Sequence, residues 1–257
     1  MSDPTAAPRL HAQSKGTGPK TIVLLHGFGG FHGVWSEIQP GLVQGARVLA
    51  YDLPGHHRSL DYPNAGPAGV AVKAVLADLQ SRGITRAHFV GHSMGGAIAS
   101  LIGLRAPEVA ETLTLLAPGG SGPEINADLL RRYGAATNAD DLRGCLNEMS
   151  APGFAMPAKY VVGLAASRGG RGQHEKLVEI AAAITKDDRQ GEIPREMLAT
   201  LTMPVTVVWG TEDTVLPFAQ TQDLPQNFKL EVLAGKGHML MEEAREAVLR
   251  IIRQTTR

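Results

Sequence analysis

The sequence predicts an α/β protein in which a twisted, mostly parallel sheet carries helices on both faces. One observation is a series of short apolar runs that are rich in Val, Ile, Leu or Thr and bounded by Gly, Pro or Asp. Most of these runs show no alternation, which is typical of strands that are covered on both faces. The other observation is that segments with helical spacing of apolar residues lie between the runs. This alternation of strand and helix implies right-handed crossovers and an open sheet.

The elements follow from these patterns in chain order. The predicted strands span residues 21–25, 46–51, 88–90, 112–116, 205–209 and 229–233, and residues 9–13 could add an edge strand. Helices are predicted over residues 70–82, 94–105 and 242–253. In the first helix, Val72, Val75, Leu76 and Leu79 form a stripe with the spacing i, i+3, i+4, i+7.

The alternation stops between residues 119 and 202, where the patterns are helical only. Four helices are predicted there, over residues 127–133, 139–149, 158–167 and 173–185. We expect these residues, 119–202, to form a cap over the carboxyl edge of the sheet, where open α/β sheets bind ligands. Residues 1–118 and 203–257 then form the core of a single structural domain.

Composition narrows the classes of function. The 257 residues carry 25 Lys and Arg against 25 Asp and Glu, so the formal net charge is zero and no excess attracts nucleic acid or an anionic membrane. Hydrophobic residues make up 43% of the chain, too many for disorder. The single cysteine, Cys145, excludes an internal disulfide. With no secretory signal and no spanning apolar stretch, we expect a cytoplasmic protein with a small-molecule substrate, either monomer or homodimer.

The strongest motif is G-H-S-M-G at residues 91–95, between a predicted strand and a predicted helix. This is the G-x-S-x-G nucleophile elbow, a sharp turn that exposes a serine hydroxyl at a helix N-terminus. Glycines flank Ser93 because a Cβ atom there would collide with the neighbouring strand and helix. The free N–H groups and positive partial charge of the helix N-terminus suit a developing oxyanion.

A serine nucleophile needs a base, and in this architecture an acid and then a histidine follow it in the chain. Asp213 and His238 both stand in loops after predicted strands, on the same side of the sheet as Ser93. We therefore predict Ser93, His238 and Asp213 as nucleophile, base and orienting acid. Glu212 is the rival acid, and Asp213 could instead serve only as an Asx-turn residue.

The turn H-G-F-G-G at residues 26–30 directly follows a strand. The backbone N–H groups of Phe28 and Met94 are the expected oxyanion donors. Gly27, Gly29, Val215 and Met239 are predicted to line the substrate site. A dinucleotide-binding fingerprint is the rival interpretation of these glycines, but its spacing fails at residue 32, which is histidine. No cofactor and no metal is expected.

Together these residues resemble the α/β-hydrolase superfamily, over about residues 9–253. The shared motifs are H-G at 26–27, D-L-P-G at 52–55, the elbow, W-G-T-E-D at 209–213 and G-H-M at 237–239. The resemblance implies the α/β-hydrolase fold, with a helical cap inserted after the sixth strand. One departure is His57, which stands where many relatives carry the second glycine of D-L-P-G-H-G-x-S. Its role stays open.

A narrower similarity rests on P-E-I-N at residues 123–126 and D-R-Q at 188–190, which resemble the hydrolase-type domain of some acetoin-dehydrogenase acetyltransferase subunits. Those subunits carry a lipoyl domain upstream, for which we expect no room here, so acyltransferase activity is not expected to carry over. The resemblance to the α/β-hydrolase superfamily implies a serine hydrolase of carboxylesterase type, and the apolar composition of the predicted cap suggests a small to medium ester. Three alternatives stay open, which are a hydrolase of carbon–carbon bonds in vinylogous diones, a thioesterase or lactonase, and a non-enzymatic small-ligand receptor. Relatives that hydrolyse vinylogous diones often carry Asn where this chain has His92.

Overall fold

The computed structural model describes residues 9–257, and these form one sheet flanked by helices. The first eight residues of the predicted core lie outside this range. Residues 9–257 contain seven strands, which are β1 Ala12–Lys15, β2 Lys20–Leu25, β3 Ala46–Tyr51, β4 Ala87–His92, β5 Ala110–Leu116, β6 Val205–Gly210 and β7 Phe228–Leu233. Their order in the sheet is β1-β3-β2-β4-β5-β6-β7. Only β1 runs antiparallel to its neighbour. The predicted mostly parallel α/β-hydrolase sheet is therefore confirmed.

Within the same residues the helices are α1 Ala68–Ser81, α2 Met94–Arg105, α3 Ala127–Ala135, α4 Ala139–Met149, α5 Ala158–Ser167, α6 Gln173–Ile184, α7 Arg195–Leu198, α8 Leu240–Glu243 and α9 Arg245–Thr255. None of them, over residues 9–257, has both the length and the apolar character needed to cross a membrane. The sheet is buried because helices cover it. The largest fully buried side chains include Trp35, Tyr51, Phe89 and Trp209.

Helices α3 to α7, which we call the helical insertion, lie between β5 and β6. The prediction placed this insertion after the sixth strand, whereas it follows the fifth strand of the described residues. The four predicted helices are all present, and α7, which was not predicted, packs on α2 of the core. Asn side chains start two of the helices, since Asn126 accepts from the Leu129 N–H and Asn138 from the Asp140 and Asp141 N–H groups.

The predicted helix over residues 242–253 is interrupted in the structure. Ala244 adopts φ −141° and ψ 38°, outside the helical region, and separates α8 from α9. Apolar spacing alone did not show this break, because the apolar positions of the two helices continue one pattern. The break leaves α8 as a single turn that begins two residues after the predicted catalytic His238.

A buried polar network connects β3 to α1. The Tyr51 hydroxyl donates to Asp78 Oδ2 at 2.6 Å, and Arg82 Nε donates to the same oxygen at 2.6 Å. Burial, and then the hydrogen bond with Asp78, raise the pKa of Tyr51, so this hydroxyl keeps its proton. The network holds the crossover helix α1 against the sheet.

We predict that Tyr51→Phe lowers the free energy of unfolding by about 1–3 kcal/mol, because the buried Asp78 carboxylate loses one of its donors. Denaturant unfolding of the two proteins measures this difference. The matched control is Tyr62→Phe, since the Tyr62 hydroxyl has no hydrogen bond within residues 9–257. Equal losses in both variants would show that the network contributes nothing specific.

Candidate active site

Ser93 occupies the turn between β4 and α2. Its backbone has φ 54° and ψ −118°, a conformation that a non-glycine residue rarely adopts. Two backbone hydrogen bonds to residues outside α2 hold it there, because the Ser93 N–H donates to the Leu116 carbonyl at 2.9 Å and the Ser93 carbonyl accepts from the Gly119 N–H at 3.0 Å. The residue stands at the N-terminus of the 12-residue α2, where the partial charge of the helix is positive.

The flanking glycines make this turn possible. A Cβ atom on Gly91 would lie 2.2 Å from the Gly95 carbonyl oxygen, and one on Gly95 would lie 2.2 Å from the Leu25 carbonyl oxygen. Both distances are far below van der Waals contact, so no other residue fits without moving the backbone. The elbow helix therefore packs directly on β2 as well as on β4.

Asp213 and His238 meet at the carboxyl ends of β6 and β7. His238 Nδ1 lies 2.8 Å from Asp213 Oδ2, and both side chains are almost fully buried. An aspartate in this position holds the imidazole with its proton on Nδ1, which leaves Nε2 to act as a base. The His238 ring packs at an angle against the ring of His92, the residue before Ser93, with the two ring centroids 4.8 Å apart.

The second oxygen of Asp213 resolves the alternative of an Asx turn. Asp213 Oδ1 accepts from the Val215 and Leu216 N–H groups at 2.9 and 2.8 Å. The carboxylate therefore forms the turn with one oxygen and contacts His238 with the other. The rival acid Glu212 is exposed, and its carboxylate hydrogen-bonds only to the Thr211 hydroxyl within residues 9–257.

The loop that carries His238 is held by a carboxylate that the sequence prediction missed. Glu243 is buried, and its two oxygens accept from the Gly237, Met239 and Ala151 N–H groups at 2.8 to 3.1 Å. Glu243 lies on the single-turn α8, so no periodicity marks it, and its partners are backbone groups that no motif encodes. It connects the His238 loop to the end of α4.

His92 also supports His238. His92 Nε2 lies 2.9 Å from the His238 carbonyl oxygen, and burial lowers the pKa of His92 to about 3. The ring is therefore neutral and donates its N–H to that carbonyl. His92 thus packs beside the elbow and holds the His238 backbone. No hydrogen bond joins Ser93 Oγ to the His238 ring within residues 9–257, and such bonds are often long before substrate binds.

The predicted oxyanion donors are available. The Phe28 and Met94 N–H groups donate to no acceptor within the part of the chain that the structure describes. The loop of Phe28 is held by His26, whose Nδ1 donates to the Gly27 carbonyl at 2.7 Å and whose Nε2 accepts from the Leu53 N–H at 3.0 Å. Burial lowers the pKa of His26 to about 4, so the ring is neutral and this pattern of one donor and one acceptor is satisfied.

Two cavities meet at Ser93. The smaller, of about 30 Å³, has room for little more than water and contacts both Ser93 and His238. The larger, of about 350 Å³, lies between the elbow and the helical insertion. Its apolar lining comes from both parts of the chain and includes Ile125, Leu130, Ile184 and Leu216. Ser93, Phe28 and Leu130 line both cavities, so the elbow stands at their junction.

The predicted lining residues divide into two pairs. Gly27 and Met239 line the smaller cavity. Gly29 and Val215 line neither of the two, which corrects the prediction. The Gly29 N–H donates to His56 Nε2 and a Cβ atom on Gly29 would collide with the Tyr133 ring, so Gly29 lies behind the cavity wall. Val215 is buried in the Asp213 turn.

This chain is similar to known proteins in its sequence and in its fold. Residues 22–251 match the alpha/beta hydrolase family. The chain is 34% identical over 233 residues to the dihydrolipoyllysine-residue acetyltransferase component of the acetoin cleaving system of Pseudomonas putida. That alignment covers 91% of this chain but 62% of the relative, so the chain spans less than two thirds of the relative's length.

Two further similarities cover nearly whole chains. The 2-hydroxy-6-oxo-6-phenylhexa-2,4-dienoate hydrolase of Burkholderia cepacia is 29% identical over 264 residues, covering 95% of this chain and 89% of that one. The solved structure of an esterase from Exiguobacterium antarcticum superposes with a TM-score of 0.79 at 19% identity, over 95% of this chain and 94% of that one. At this identity the superposition supports the fold alone. The family match over residues 22–251 shows that this chain belongs to the alpha/beta hydrolase family.

Proposed function

We propose that the protein is a serine hydrolase that cleaves a small to medium carboxylic ester through an acyl-enzyme intermediate. The observation that carries this proposal is the Asp213–His238 pair, with a 2.8 Å contact, at the same sheet edge as a serine in a strained elbow. Family membership supports hydrolase activity in general, and the ester is the substrate class that we propose.

In the first half of the reaction, Ser93 Oγ attacks the ester carbonyl carbon and His238 Nε2 takes the hydroxyl proton. The Phe28 and Met94 N–H groups stabilise the negative charge on the former carbonyl oxygen. The tetrahedral intermediate then collapses, the carbon–oxygen bond to the alcohol breaks, and the leaving alcohol takes the proton from His238. The acyl group remains bonded to Ser93.

In the second half, His238 takes a proton from water as the water oxygen attacks the acyl carbon. The acid leaves and Ser93 recovers its proton from His238. Asp213 stays ionised throughout and stabilises the imidazolium that forms twice in the cycle. No step needs a cofactor or a metal.

The larger cavity supports the substrate class. Its volume of about 350 Å³ and apolar lining match an uncharged acyl or alkyl group. Because α3 and α6 of the helical insertion supply part of that lining, we propose that residues 119–202 act as a cap that encloses this group. The cap would exclude water from the apolar part of the substrate.

Hydrolysis of a carbon–carbon bond in a vinylogous dione is the second candidate. The observation that favours it is the 29% identity to the Burkholderia cepacia hydrolase over nearly the whole of both chains. The same serine and histidine would serve that reaction, so the residues of the site do not separate the two candidates. Thioesters and lactones are further possible substrates, which the substrate panel described below also tests.

We predict that Ser93→Ala lowers kcat/KM for p-nitrophenyl esters by several orders of magnitude and leaves the thermal unfolding midpoint nearly unchanged. A fluorophosphonate probe should label the wild-type protein on Ser93 and leave the variant unlabelled. If the folded wild-type protein is not labelled by the probe, the proposal of an enzyme is rejected and a ligand receptor is supported instead.

We predict that Asp213→Asn lowers kcat by up to about 10⁴-fold, since asparagine does not hold the imidazole in the same tautomer. Glu212→Gln is the matched control, because it removes the adjacent, exposed carboxylate. Steady-state kinetics on one ester measures both variants. A large loss in Glu212→Gln with near-normal turnover in Asp213→Asn would assign the acid to Glu212.

We predict that Ala97→Leu shortens the preferred acyl chain, because Ala97 lines the larger cavity. The ratio of kcat/KM for long over short esters should fall by about 10-fold or more. Ala166→Leu, on an exposed position of α5 that lines neither cavity, should leave the ratio unchanged. The same panel includes a vinylogous dione, a thioester and a lactone, and faster turnover of any of these than of every ester would contradict ester cleavage.

A further inference from the structure

A cluster of imidazoles surrounds the buried carboxylate of Asp52, away from the Ser93 cavities. His32 Nδ1 lies 2.8 Å from Asp52 Oδ1, and His57 Nδ1 lies 3.1 Å from Asp52 Oδ2. The His11 and His32 rings meet edge to face with centroids 5.0 Å apart. None of these four residues lines either cavity at Ser93, and the proposed reaction uses none of them.

The order of the strands brings these residues together. The antiparallel β1 pairs with β3, so His11, just before β1, lies beside Asp52, just after β3. The Asp52 N–H donates to the His11 carbonyl at 2.9 Å. His32 arrives from the loop after β2, the other neighbour of β3, and its N–H donates to Asp52 Oδ1 at 2.7 Å. Backbone hydrogen bonds therefore hold all three side chains in place.

The chemistry of this group suits a metal ion. One ligand atom each from His11, His32 and Asp52 lies within 4.8 Å of the other two. Asp52 is fully buried, and no Lys or Arg side chain in residues 9–257 forms an ion pair with its carboxylate, so imidazole and backbone N–H groups are its partners there.

We propose that His11, His32 and Asp52 form a binding site for a divalent transition-metal ion such as Zn²⁺. Two imidazole nitrogens and one carboxylate oxygen are typical ligands for such ions, whereas Ca²⁺ and Mg²⁺ prefer oxygen ligands alone. The ion takes the place of the proton between His32 Nδ1 and Asp52 Oδ1, the neutral imidazole carries its proton on Nε2 instead, and water completes the coordination. His57 is a positioning residue that holds the second oxygen of Asp52.

The site explains why histidine stands at residue 57. His57 has φ 46°, a left-handed conformation that glycine would adopt with less strain. The side chain supplies a contact to Asp52 that glycine would lack. No metal is expected from the sequence alone, and the ligands of the proposed site come from three segments that only the sheet order brings together.

Metal titration of the tag-free, chelator-treated protein tests the proposal. Co²⁺ should bind at one equivalent with visible absorption, and Zn²⁺ should displace it. At free Zn²⁺ about 100-fold above Kd, the thermal unfolding midpoint should rise by about 5–10 °C. His11→Ala, a partly exposed position, should weaken binding at least about 10-fold, and His57→Gly by a similar factor.

Two control variants make the outcome decisive. His174→Ala, on α6 and outside the cluster, and Ser93→Ala should both bind Co²⁺ as the wild-type protein does. Absence of saturable binding by the folded wild-type protein overturns the proposal. So does binding that His11→Ala leaves unchanged, or that His174→Ala or Ser93→Ala abolishes. The readouts do not depend on ester turnover, so failure here and failure of the proposed hydrolase activity are separate results.

Discussion

The close contact of the elbow helix with its neighbouring strands is the constraint on which the rest of the site depends. Leu25 at the end of β2 approaches Gly95 so closely that even one added carbon would lie 2.2 Å from the Leu25 carbonyl oxygen. This contact sets the height of Ser93 above the sheet and also places the loop after β2 beside it. A Cβ atom on Gly27 would lie only 3.1 Å from Ser93 Cβ. The proposed nucleophile and one of the proposed oxyanion donors are therefore positioned by the same packing.

The His238 loop is held in a different way, because it lacks the ladder hydrogen bonds that fix the strands. Three carbonyl or carboxylate groups secure it, through Glu243, Asp213 and the Met149 carbonyl, which accepts from the His238 N–H at 2.8 Å. Met149 ends α4 of the helical insertion. The proposed base is thus anchored to the insertion as well as to the core. A movement of α4 would be transmitted to the imidazole, which connects the enclosure of substrate to the geometry of the proposed base.

The parts of the structure that were predictable are those encoded locally. Apolar runs located the strands to within one or two residues over most of the sheet, because the runs of β2 to β6 are mostly buried. The elbow was recognisable since steric rules restrict its residue types. Glu243 and the Asp52 cluster were not predictable, because their partners are backbone groups or side chains from distant segments. The break at Ala244 was not predicted for a related reason, because apolar spacing reflects burial and not the backbone angles of one residue.

The loop after β2 links the two sites that the structure suggests. His26 at its start hydrogen-bonds to the Leu53 N–H, and His32 at its far end contacts Asp52, so both ends are tied to the segment after β3. Phe28, with the proposed oxyanion N–H, lies between these two attachments. A metal ion at His32 and Asp52 would replace a hydrogen bond with stronger coordination at one end only. Because the His26 end is already buried and fully hydrogen-bonded, the ion would reduce motion mainly between Phe28 and His32. It would thereby act on the position of the oxyanion donor without contacting the substrate.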